Sequence, residues 1–167
     1  MSVTVEARHD YDFDLETVIE AFTDPEFYEA KFEGIGARKV EVLSSDQDDD
    51  VFTVETRRDV PLEVPAFLKK VLGEWTTMIQ SERWAQDDEG NWFNELDMSG
   101  EGVPAKMTGT MYLSPTDEGC VNEVAITISA SVPLIGGKLE SFIAESTADN
   151  LAAEYEFIQA YLEELAG

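Results

Sequence analysis

At 167 residues, 43% of them hydrophobic and 10% aromatic, the chain has the length of one domain and enough apolar surface to bury a core, which excludes a disordered segment. Its formal net charge of −25 repels nucleic-acid phosphates and anionic lipid, which argues against nucleic-acid partners and against stable membrane association. The same charge reads either as adaptation to a salt-rich cytoplasm or as an acidic docking face, and the first reading is preferred.

Residues Met1 to Glu6 form neither the basic nor the apolar stretch of a secretory signal, and no apolar run approaches the roughly 20 residues that cross a bilayer. The expected location is cytoplasmic. Cys120 is the only cysteine and His9 the only histidine, so an internal disulfide, a thiolate cluster and a histidine metal site are all excluded. No metal and no cofactor is expected.

In chain order, Val3, Val5, Ala7, His9 and Tyr11 alternate with polar residues and predict a half-buried strand. Asp14 caps a short helix carrying Leu15, Val18, Ile19 and Phe22. Asp24 and Pro25 suit the N-cap and N1 positions of a second helix, which carries Phe27, Tyr28 and Phe32 and ends near Gly34-Ile35-Gly36. Strand patterns follow from Arg38 to Ser45 and from Val51 to Val60. The acidic turn Asp46 to Asp50 between them is no calcium loop, because Val51 and Arg57 stand where Gly and Glu are required. Phe52, Val54, Thr56, Arg58 and Val60 share a face, which puts Arg58 on the apolar side, either buried with an anionic partner or snorkelling to water.

Pro61 to Pro65 interrupts the strands and leads into a short amphipathic helix with Phe67, Leu68, Val71 and Leu72, which Gly73 ends. It reads as a packing helix in preference to a lid, with Lys69-Lys70 as a small basic spot. Strands continue over Trp75–Ala85, Asn91–Ser99, Lys106–Ser114 and Cys120–Val132, joined by turns short enough for antiparallel pairing. Within them Trp92, Asn94, Leu96 and Met98 share one face, as do Met107, Gly109, Met111 and Leu113. In the strand from Trp75, the set Trp75, Thr77, Ile79 opposes Met78 and Trp84, so a bulge is expected there. Cys120 reads as a small buried hydrophobe.

From Gly137 to Leu165 there is no proline or internal glycine, and Leu139, Phe142, Ile143, Leu151, Tyr155, Ile158, Leu162 and Leu165 recur at helical spacing. This is one long helix, with a gap in its stripe where Ser146, Thr147 and Asn150 replace apolar residues. Small polar groups facing a closed core would each need a hydrogen bond, whereas on the wall of a wet or ligand-filled cavity they are natural. Glycine-rich nucleotide loops and the Gly-x-Ser-x-Gly elbow are absent.

The order strand, two short helices, about six further strands and one long helix predicts an α+β helix-grip fold: a curved antiparallel sheet of about seven strands around the C-terminal helix. That order resembles the START-like superfamily, which includes birch-pollen-allergen proteins, polyketide cyclases and lipid-transfer domains. More closely, the chain is similar to the bacterial domain of unknown function family 2505. The residues that carry the likeness are Ala21-Phe22-Thr23-Asp24-Pro25-Glu26-Phe27-Tyr28, Glu82-Arg83-Trp84, Val132 to Glu140 and Ala152-Ala153-Glu154-Tyr155-Glu156-Phe157. The resemblance spans nearly the whole chain, residues 1–167 as one START-like domain, and implies an apolar cavity between sheet and helix.

The first functional expectation is a non-enzymatic binder or carrier of an apolar or aromatic small molecule, monomeric or weakly dimeric. Its candidate ligand-binding residues are Tyr11, Arg58, Trp75, Ile79, Trp92, Asn94, Met111, Phe142, Ser146 and Asn150. The alternatives are a cyclase or dehydratase using His9 or Tyr11 for acid–base work, and an acidic protein–protein interaction module.

Overall fold

Period-two alternation and short turns produce one seven-stranded antiparallel sheet in the order β1-β7-β6-β5-β4-β3-β2. The structure is a computed structural model that describes residues 2–70 and 72–167. Its strands are β1 (Val3–Tyr11), β2 (Arg38–Asp48), β3 (Val51–Pro61), β4 (Trp75–Gln86), β5 (Trp92–Gly100), β6 (Ala105–Pro115) and β7 (Cys120–Ala130). Two short helices, α1 (Leu15–Phe22) and α2 (Pro25–Gly34), link the two edge strands, and α3 (Gly136–Ala166) lies along the sheet's concave face.

The helix starts obey local chemistry. Asp14 accepts a hydrogen bond from the Thr17 amide at 2.8 Å, and Asp24 accepts one from the Glu26 amide at 3.0 Å, with Pro25 in the first turn. At its 31 residues, α3 runs for about 46 Å, which suits a sheet that curves around it. Buried Glu140 fixes its first turns by accepting from the Ala130 amide at 2.8 Å. Gly119, ahead of β7, lets the chain pass against β1, because a Cβ there would collide with the carbonyl oxygens of Tyr11 and Phe13.

Three expectations need correction. The bulge expected in β4 is absent: β4 keeps an unbroken register with β3 and β5, and the register shifts fall in the edge strand β2. The inward row of β4 is Thr76, Met78, Gln80, Glu82 and Trp84, so Trp75, Thr77 and Ile79 form the outer row. The helix expected after Pro65 is only a 3-10 turn over Ala66–Leu68, and Val71 lies outside the described residues.

Two clusters fill the space between sheet and helices. One is aromatic, with Tyr11, Phe22, Phe27, Tyr28, Phe32, Phe52 and Trp84 packed under α1 and α2. The other is aliphatic, with Leu68, Met78, Met107, Ile126, Ile128, Leu139, Ile143 and Leu151 beneath the first half of α3. The candidate site occupies the second cluster.

Candidate functional site

Leucine-sized side chains at the gap in α3 would close the aliphatic core; Ser146, Thr147 and Asn150 leave it open. Beneath them is a cavity of about 100 Å³. Its floor is a methionine-rich bed of Met78, Met98, Met107 and Met111 with Leu96 and Ile126, and its helical wall adds Phe142, Ile143 and Leu151. Polar atoms enter from Arg58, Thr76, Gln80 and Glu154. An apolar chamber with a few convergent polar groups is the composition of a small-molecule site. Methionine suits such a floor because its unbranched thioether repacks around different shapes.

The chamber shares Arg58, Val60, Leu62, Phe142, Ser146, Asn150 and Glu154 with a larger groove of about 390 Å³. This vestibule lies between the end of β3, the α2–β2 connection at Ile35 and Ala37, and the middle of α3. Glu63, Glu145, Asp149 and Glu154 make its rim acidic, and Arg58 is the only cation among the described residues lining either space.

Arg58 sits where chamber and vestibule meet. It is 8% exposed, and its guanidinium carbon stacks 3.8 Å from the centre of the Phe32 ring. Its Nε and Nη1 have no hydrogen-bond partner. Burial lowers its pKa to about 10, against the opposing pull of Glu154 and Glu82, so it stays protonated at neutral pH.

The other charged groups nearby are matched, although the buried Thr56 hydroxyl beside Arg58 on β3 also has no partner. Lys31 Nζ bonds Glu154 Oε1 at 2.9 Å and sits among the rings of Phe27, Tyr28 and Phe32. Glu82 accepts from Gln80 Nε2 and Asn94 Nδ2, each at 2.8 Å. Trp84 Nε1 donates to the Tyr28 hydroxyl at 3.2 Å, which in turn donates to the Phe22 carbonyl at 2.7 Å.

Among the residues singled out by sequence, Arg58, Met111, Phe142, Ser146 and Asn150 come together around the chamber. Trp75 and Ile79 do not, because both lie on the outer row of β4; Trp75 carries the Arg38 guanidinium on its ring at 3.6 Å. Tyr11 belongs to the aromatic core and Trp92 packs against it, away from the chamber. Asn94 is fully buried but committed, since its amide donates to Glu82 and its oxygen accepts from the Arg83 amide at 3.1 Å.

His9 stacks on Tyr155 at 4.6 Å beside a second pocket of about 20 Å³, large enough for about one water, which shares Met111, Leu151 and Glu154 with the chamber. Burial lowers the His9 pKa and raises that of Tyr11, whose hydroxyl has no partner. Sequence reasoning missed Thr76, Gln80, Glu154 and Lys31. The first two were hidden by the misassigned face of β4. Glu154 and Lys31 carry no local sequence signal of burial, which only their pairing across α2 and α3 reveals.

The expected family likeness is shown by direct comparison. A family model described as "Protein of unknown function (DUF2505)" matches residues 6–162, and the chain belongs to that family. An uncharacterized protein of Mycobacterium tuberculosis is 24% identical over 161 residues, covering 92% of each chain. A START superfamily protein from Mycobacterium smegmatis superposes with a TM-score of 0.57 at 16% identity over 98% of both chains. A norcoclaurine synthase from Thalictrum, solved with a transition-state analogue, superposes with a TM-score of 0.63 at 15% identity over 100% of this chain and 98% of its own. At such identities the solved structures show the fold alone, and that fold is START-like.

Proposed function

We propose that this member of the DUF2505 family binds or carries an apolar or aromatic small molecule beneath α3, in the cytoplasm, as a monomer or weak homodimer and without catalysing a reaction. The observation that carries this reading is the chamber itself: a methionine-floored space roofed by Ser146 and Thr147, continuous in its lining with an open vestibule. A sequence selected only for stability would gain from filling such a space, since each unfilled methyl-sized void costs about 1 kcal/mol.

Size narrows the guest. An engineered cavity of about 150 Å³ holds benzene, so the inner chamber of about 100 Å³ takes at most one ring or a short chain. The remainder of a larger molecule would lie in the vestibule. A long lipid buried whole does not fit without movement of α3. His9 and Tyr11 are absent from the chamber lining, which supports a binder over a cyclase.

Native mass spectrometry of the purified full chain tests the reading. The expected result is a second species carrying a co-purified small molecule, lost on organic extraction. A chain that runs only at its own mass, and gains no thermal stability from any apolar ligand offered in excess, would sink the proposal.

A further inference from the structure

The chamber contains one cation with donors to spare. Arg58 is nine-tenths buried, lines both chamber and vestibule, and leaves Nε and Nη1 without acceptors. Buried donors without partners destabilise a fold unless a bound molecule satisfies them. Glu82 and Glu154 are near enough to act on its charge, yet neither accepts from those two nitrogens, being held by Gln80 and Asn94 and by Lys31 respectively.

The charge count decides what kind of acceptor fits. Around the chamber Lys31, Arg58 and Glu82 are buried and Glu154 is half-buried, and these four charges cancel; buried Glu140 lies at the start of α3 on the Ala130 amide, outside the chamber lining. An anionic ligand would leave this water-poor region with a net negative charge beside Glu154. To arrive it would pass the carboxylates of Glu63, Glu145 and Asp149, on a protein of net charge −25. A neutral oxygen acceptor satisfies the Arg58 donors without disturbing the balance.

Building on the binder reading, we infer that the ligand is an uncharged, carbonyl-bearing apolar molecule whose oxygen sits on Arg58, and that carboxylate-bearing analogues of the same shape are rejected. The acceptor sits at the junction, the apolar body fills the methionine-floored chamber, and any remainder extends into the vestibule.

Three nearly isosteric one-ring probes test this by isothermal titration calorimetry on the full chain: acetophenone, ethylbenzene and benzoate. The ketone should bind at least about tenfold more tightly than the ethyl compound, the gain expected of a hydrogen bond to a charged donor. It should exceed the carboxylate by a similar factor. Arg58→Met keeps an apolar stem and should abolish the ketone's advantage while retaining ethylbenzene; the comparison on the unaltered protein stands even if that variant does not fold. Equal binding of ketone and ethyl compound would overturn the inference and leave the binder reading intact. Tightest binding of benzoate would overturn it in favour of an anion receptor. If none of the three binds, the inference is overturned, and the binder reading stands or falls separately on the native mass spectrum.

Discussion

His9 is the only histidine, and its surroundings turn it into a reporter of the aromatic half of the core. It is 7% exposed and stacked on Tyr155. Burial lowers its pKa below the ordinary 6.5, with Glu154 and Asp10 opposing. The folded protein therefore refuses a proton that the unfolded chain accepts. The resulting stabilisation is complete above about pH 6.5 and is lost as pH falls below it, at no more than about 1.4 kcal/mol per pH unit. Urea midpoints for the native chain and for His9→Gln, taken at about pH 7.5 and about pH 5.5, check this. The native chain should lose more stability between the two conditions; identical losses would show that His9 is not held neutral. Its inward position was legible because a strand's alternation is strict. Its place outside the chamber lining was not, because alternation says nothing about position along the sheet. Arg58 was half legible in the same way: its face followed from Phe52 and Val54, but its stacking on Phe32 came from another element.

At the scale of elements, legibility followed how cleanly apolar residues mark a face. α3 could be read closely, gap included, because Leu139, Ile143, Leu151, Ile158 and Leu162 hold the helical period on either side of Ser146 and Thr147. β4 misled because its inward row is half polar: Gln80 and Glu82 face the interior and satisfy each other, with Asn94 of β5 completing the set. Alternation of apolar residues cannot find a row that buries its polar groups in mutual hydrogen bonds. The helical gap yields a sharp test. Thr147→Leu places an isobutyl group in the chamber, so the co-purifying molecule should disappear from the native mass spectrum. Melting temperature should hold or rise, because apolar atoms replace a hydroxyl over a methionine bed able to adjust, a change worth within about 1.5 kcal/mol either way. Ligand binding at unaltered strength in a folded Thr147→Leu protein would move the site elsewhere.

For the molecule as a whole, the START-like architecture could be read from element order and from a few residue strings, whereas the ligand could not, because related folds host unrelated sites. Charge has a consequence that depends on neither. With 36 acidic and 11 basic side chains, most carboxylates have no basic side chain to pair with. Several of the pairs that do form, such as Arg8–Glu123 and Arg57–Glu41, are largely solvent-exposed and contribute little. The remaining carboxylates repel one another across loop tips such as Asp48–Asp50 and along the outward rows of the strands. Unfolding moves them apart, so repulsion favours the unfolded chain, and salt that screens it should favour the folded one. Between about 0.1 M and about 1 M sodium chloride the screening length falls from about 10 Å to about 3 Å. The urea midpoint should therefore rise steadily over that range, with the slope of the unfolding line unchanged. Chloride is the fitting salt, because sulfate strengthens apolar burial in any protein and would mimic the effect. A midpoint that stayed level or fell would mean the acidic surface exerts no strain on the fold, and would shift weight from adaptation to salt toward a docking face for a basic partner.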